Sequence, residues 1–189
     1  MFLTRITEPA EEPVTLAEVK AALAIIGDAD DDFLSSLIRS VTGAFDGPDG
    51  RLGRCLINQT WRLNLTGFPA GPVRLPMPPT VLVYTVAYVD SAGDDHTADF
   101  KFVGAESPDG GYVSPLTSWP SGATDVAIEF LAGFGDADDV PADIKDAIIA
   151  VIGSRFAWRE SQVMSQSSLS AMPEVDDTIR RWATVGFGG

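Results

Sequence analysis

The chain is poor in the residues that carry most protein chemistry. Its 189 residues hold one cysteine and one histidine. A lone cysteine, Cys55, cannot form an internal disulfide, and one Cys with one His cannot furnish a structural zinc site. Nucleophilic catalysis by Cys55 would need a base, and His96 lies in a polar run, Asp94-Asp95-His96-Thr97, that reads as a solvated turn. Positive charge is also scarce. Thirteen Lys and Arg face 27 Asp and Glu, a net charge of −14. Tight binding of naked nucleic acid needs Lys/Arg clusters, and the one local group is Arg180-Arg181. The longest apolar stretch, near 148–152, is too short to span a membrane. No signal-peptide run opens the chain, so a reducing compartment is expected.

What is present is a core-forming composition, 45% hydrophobic, enough for a globular domain rather than a disordered one. Pro9 and Pro13 keep residues 1–13 extended. Thr15 and Glu18 form a capping box. Behind it the stripe Leu16, Val19, Leu23, Ile26 predicts a helix over about 16–26, stopped by Gly27. A second helix is predicted over about 31–46, with Leu34, Leu37, Ile38, Val41 and Phe45 on its core face. The period then changes from helical to alternating. Trp61, Leu63 and Leu65 alternate with polar residues. Residues 73–75, 80–89, 97–103, 111–114 and 124–131 are the further strand candidates. The stretch 80–89, rich in Val and Tyr, reads as buried on both faces. Helix returns over about 141–159 behind Pro141, with Ile144, Ile148, Val151, Ile152 and Phe156 on one face. Helices, a β region over about 57–131 and a further long helix make an α+β fold: a helical core with an inserted, mainly antiparallel β region.

Gly-Asp-Ala-Asp-Asp occurs twice, at 27–31 and 135–139. Asp28, Asp30 and Asp32 have the first spacings of a calcium loop, but Phe33 and Arg39 stand where that loop needs Gly and Glu. Helix capping is the better reading of both copies. The glycines form no phosphate loop, since no Gly-Lys-Ser/Thr follows them. No catalytic constellation, cofactor site or metal site emerges. A pair of acidic catalysts for carbohydrate hydrolysis cannot be singled out from so many carboxylates.

The C-terminal part is different in kind. Residues 161–173 read as a polar linker. Residues 174–189 follow as a docking segment, in which Val175, Ile179 and Trp182 share one helical face. A helix this short is marginal alone in water and needs a surface, either on its own domain or on another protein. Trp182 beside Arg180 and Arg181 has the composition of an interface anchor.

Several stretches together resemble the head–tail connector (adaptor) proteins of long-tailed bacteriophages and gene transfer agents. They are Glu12-Pro13-Val14-Thr15-Leu16-Ala17-Glu18-Val19-Lys20, Leu56-Ile57-Asn58-Gln59-Thr60-Trp61, Arg74-Leu75-Pro76 with Pro78-Pro79, Val86-Ala87-Tyr88-Val89-Asp90, and Ala132-Gly133-Phe134-Gly135-Asp136 before Val140-Pro141. The resemblance spans nearly the whole chain. It implies a non-enzymatic subunit, with residues 1–160 as the adaptor domain, working in a homo-oligomeric ring, twelve copies in that family. The ring would sit beneath the portal protein and above a stopper or tail protein. DNA would pass through it without specific binding and no membrane would be involved. The setting is the head–tail junction of a virion or gene transfer agent particle assembled in bacterial cytoplasm. The matched tail implies portal docking through Val175, Ile179, Arg180, Arg181 and Trp182. Arg180-Arg181-Trp182 departs from the more aliphatic pattern of the family. A head-closure or tail-completion subunit of the same kind of particle is the neighbouring alternative, and a carbohydrate-acting hydrolase the distant one.

Overall fold

The computed structural model describes residues 1–105, 107, 110–160 and 172–184. Among the described residues the chain forms two compact units, a β unit of residues 1–10 and 54–134 and a helical unit of residues 11–53, 135–160 and 172–184. The chain thus passes from β unit to helical unit and back, the N-terminal strand joining the β region expected as a plain insertion, and the α+β reading holds. Most of the 161–173 linker expectation lies outside the described residues.

In the helical unit, α1 (Leu16–Ala22) opens on the predicted capping box. The Glu18 amide donates to Thr15 Oγ1 (3.2 Å), and the Thr15 amide donates to Glu18 Oε2 (2.6 Å). The helix ends well before Gly27. Leu23 closes it, Ala24 takes a left-handed φ of +54°, and the Ile25 amide returns to the Lys20 carbonyl (3.0 Å). Ile26, expected on the core stripe, is fully exposed, so nothing rewards continuing the helix. α2 (Asp31–Phe45) matches expectation, with Leu34, Leu37, Ile38, Val41 and Phe45 all buried. α3 (Ala142–Glu160) buries Ile144, Ala147, Ile148 and Ile152. α4 (Pro173–Trp182) follows.

The two acidic repeats differ in use. Asp30 is the N-cap of α2 without a side-chain cap bond, and the next residue, Asp31, pairs with Lys20 of α1. The second copy caps a 3₁₀ turn, Ala137–Asp139, rather than α3 itself. Val140 precedes Pro141 and is therefore held extended (φ −69°, ψ 128°), which separates turn from helix.

Lys145 of α3 ties these pieces together. Its Nζ donates to Glu18 Oε1 (2.8 Å) and to the Ala137 carbonyl (3.4 Å). The Lys145 contact, with the Thr15 amide, holds the Glu18 carboxyl down to about 2 from an ordinary value of 4.5. A depressed carboxylate stabilises the fold above its unfolded value and loses that contribution as pH falls through the folded one. Glu18 is 41% exposed, so solvent screening reduces the effect to about 1 kcal/mol. Glu18→Gln is expected to lower stability by about that amount at pH 7. The difference from wild type should vanish as pH falls from 4.5 to about 2. Urea titrations of both proteins across this range check it.

The β unit has a five-stranded sheet, β1-β2-β8-β4-β5, and a three-stranded sheet, β3-β7-β6. The strands are β1 (Phe2–Thr7), β2 (Gln59–Leu65), β3 (Val73–Arg74), β4 (Thr80–Val89), β5 (Asp95–Thr97), β6 (Phe100–Val103), β7 (Tyr112–Pro115) and β8 (Thr124–Ala132). All pairings are antiparallel. Trp61, Leu63, Val86, Val126, Ile128 and Phe130 form the core with residues of the smaller sheet. The strand predicted over 97–103 is two strands in different sheets, divided at Ala98 and Asp99. β4 is not buried on both faces. Three register shifts interrupt its ladder with β8, and Leu82 and Tyr84 are exposed. The turn at 90–94 is built on Asp90, which accepts from the amides of Ala92 (2.8 Å) and Asp94 (3.0 Å). The Asp94 amide first, then His96, holds the Asp90 carboxyl below its ordinary value.

Candidate assembly surface

The residues singled out at the C-terminus lie on α4, and α4 is seated on its own unit. Pro173 occupies the first turn, where its missing amide costs nothing, and Glu174 and Asp176 face the positive end of the helix dipole. Arg180 and Arg181 occupy the last turn. Val175 (4% exposed) and Thr178 are buried, while Ile179 and Trp182 are half-buried. The inward face is therefore rotated towards Thr178, one position from the Val175–Ile179–Trp182 stripe.

Asp143, in the first turn of α3, is the polar anchor. Its Oδ2 accepts from Trp182 Nε1 (2.9 Å) and from Arg181 Nη1 (2.9 Å). Asp176 pairs with Arg51 at 3.1 Å. Past the helix, the Ala183 amide donates to the Ile179 carbonyl (2.7 Å). Thr184 donates its amide to the Leu52 carbonyl (3.0 Å) and its hydroxyl to the Gly53 carbonyl (3.0 Å). Of the two surfaces left open by the sequence, the chain's own unit is the one met here, at both ends of the helix. The pair Arg180–Asp177 (3.1 Å) is largely exposed and contributes little.

A cleft of about 580 Å³ opens between α3 and α4, lined by Asp143, Asp146, Ala147, Glu174 and Val175 among others. Its acids are not gathered into a metal site. Among the described residues, no three His, Cys, Asp or Glu side chains come together to hold an ion. No described helix is long and apolar enough to cross a membrane. Cys55 is fully buried, and His96 is exposed and paired with Asp90 (3.0 Å), so they do not share a site.

Asp143, Arg51 and the Leu52–Gly53 carbonyls were not singled out in the sequence. An Asp in the first turn of a helix already has a sufficient reason in the helix dipole, which hides a second role. A carbonyl acceptor leaves no mark on sequence at all.

No protein-family model matches the chain, and no curated protein matches it. Solved structures do. A chain in the neck of an empty gene transfer agent particle, computed with sixfold symmetry, is 26% identical over all of this chain and 98% of that one, with a TM-score of 0.78. A chain of the virion of a native gene transfer agent particle is 27% identical over the same spans, with a TM-score of 0.76. A chain in the neck of the native particle, computed with twelvefold symmetry, is 25% identical over those spans, with a TM-score of 0.68.

Proposed function

We propose that this protein is a structural subunit of the head–tail junction of a gene transfer agent or phage-like particle, an adaptor in a ring beneath the portal. One observation carries the reading: the similarity to the neck chains runs end to end, covering 100% of this chain and 98% of theirs. A shared fold embedded in a larger protein would not match in this way. The sixfold and twelvefold symmetry of those necks supports a homo-oligomeric ring. The acidic balance suits a subunit beside DNA. A channel wall drawn from a subunit of net charge −14 would release few counterions from phosphate and leave DNA free to slide. A map of the particle placing the subunit directly against the portal supports the adaptor role. Density below an intervening ring assigns it to head closure instead.

Portal docking is assigned to α4, with its residues in two roles. Val175 and Trp182 seat the helix on α3. Arg181 adds to that seating through Asp143 while its exposed part, with Ile179 and Arg180, presents itself to the partner. Arg180 is 77% exposed, so Arg180→Glu is expected to leave stability within about 0.5 kcal/mol of wild type. It should weaken capture by the portal by roughly tenfold or more. Surface-immobilised portal protein measures this directly, and unchanged affinity removes Arg180 from the interface.

A further inference from the structure

We infer that the five-stranded sheet is continued from copy to copy, β1 of one subunit pairing antiparallel with the open edge of β4, residues 81–85, in the next. The inference rests on the ring reading above. Both edges lie within the β unit and both lack a strand partner among the described residues. Among the described residues no strand lies outside β1, and β5 with Ala98 covers β4 only from Val86 to Val89.

Three features make the two edges complementary. The first is direction. β1, β2, β8 and β4 alternate, and this even number leaves β1 and β4 running opposite ways. Repeating the unit by rotation, with the sheet side by side, sets β4 beside the neighbour's β1 in the same alternation. A head-to-tail contact of this kind uses two different surfaces and closes into a ring.

The second is the distribution of side chains on the sheet face opposite the core. Asn64 and the Arg62–Glu129 ion pair make the middle of that face largely polar, with Ala127 and Leu131 only half-buried beside them. Apolar side chains stand at its two margins. By register Phe2 shares this face with Asn64, and Leu82 shares it with Leu131 and Thr60. Ile6 and Tyr84 project at the register shifts of their strands. Exposure is 65% at Phe2, 45% at Ile6, 37% at Leu82 and 52% at Tyr84. Antiparallel pairing brings Phe2 towards the Tyr84 end and Ile6 towards the Leu82 end, giving aromatic and aliphatic cross-strand pairs.

The third is the absence of protection along β4. Free edges in soluble proteins carry Lys, Pro or inward charges. Residues 81–85 read Val-Leu-Val-Tyr-Thr and carry none, as expected of an edge that is covered in the working assembly. A second copy supplies a match in direction, length and polarity.

The test uses the full chain in particles purified from producing cells. Ile6→Cys and Leu82→Cys are combined and treated with a short bis-maleimide. The native Cys55 is fully buried and silent. A ladder of covalent multimers is expected from the double variant and from neither single variant. A normal complement of subunit in the particle with no ladder, or cross-linking to a different protein, overturns the pairing and leaves the ring intact. If the unsubstituted subunit forms no ring in the particle, the ring reading and the pairing fall together. In a second arm, Phe2→Lys with Tyr84→Lys should reduce incorporation at least tenfold, and Phe2→Lys with Tyr84→Glu should restore it. Equal incorporation of the two charge pairs also overturns the proposal.

Discussion

Gly133→Ala is expected to destabilise the β unit by roughly 4 kcal/mol, the largest effect of any single methyl group in that unit. Gly133 has a φ of +144°, and a Cβ there would lie 2.5 Å from the Asn58 amide nitrogen and 2.6 Å from the Ile57 carbonyl. These are main-chain atoms that no rotamer change can move aside. Three segments meet at this point. The Gly133 amide donates to the Pro79 carbonyl (3.0 Å), and the Phe134 amide donates to the Leu56 carbonyl (3.0 Å). The entry to β2, the entry to β4 and the exit of β8 are thus fastened together at one glycine. A φ open only to glycine costs about 1–3 kcal/mol in another residue, and overpacking adds about 1–3 kcal/mol. The sum, roughly 4 kcal/mol, is a large part of a total stability of about 5–15 kcal/mol. Gly27→Ala is the control. Its φ is also positive, +87°, but nothing lies within 4 Å, so only the backbone strain, about 1 kcal/mol, applies. Chemical denaturation followed by tryptophan fluorescence separates the two. Similar losses would place the cost in backbone strain and not in the crossing of the three segments.

Gly133 also shows what was and was not legible in the sequence. Ala132-Gly133-Phe134-Gly135-Asp136 stands out as a pattern, yet its reason is a backbone crossing between residues about 75 positions apart, 57–58 and 133. Local periodicity carries no information about that. Where the core decides the period, the sequence was readable: all five residues assigned to the inner face of α2 are buried, and Val126, Ile128 and Phe130 alternate inward as expected. Where a residue's environment is set by register shifts, it was not. Val-Leu-Val-Tyr in β4 has the composition of a doubly covered strand, but its shifted ladder with β8 leaves Leu82 and Tyr84 outside. β1 was legible only as extended chain, because Pro9 and Pro13 exclude helix without indicating a sheet partner. At the C-terminus the helix and its amphipathicity were evident, but the surface it covers was not. The amphipathic stripe reports that one face needs burial and is silent on whose groove provides it.

That question has a decisive substitution, Val175→Asp in the isolated full-length chain. Val175 is 4% exposed, and its burial is worth about 1.5–3 kcal/mol. Placing a carboxylate there without a partner adds a desolvation cost of the same size or larger. A ten-residue helix has no stability of its own to absorb this loss, so α4 is expected to detach as a unit. The Asp143 bonds to Trp182 and Arg181 and the Thr184 bonds to Leu52 and Gly53 would then break together. Amide exchange at residues 175–184 should rise to unprotected rates, while α2 and the β unit stay protected. Global stability should fall by roughly 3 kcal/mol. Portal capture should fail for want of a presented helix, even though Arg180 is untouched. The same logic predicts that removing residues 172–189 costs stability as well as docking, because Leu52, Gly53 and Asp143 lose their partners. If α4 instead took its shape only from a neighbouring subunit, its amides would already exchange freely in the isolated wild-type chain. Val175→Asp would then change neither exchange nor stability until assembly. Comparing protection of wild type and variant before any portal is added decides between a helix built into the subunit and one completed by its partner.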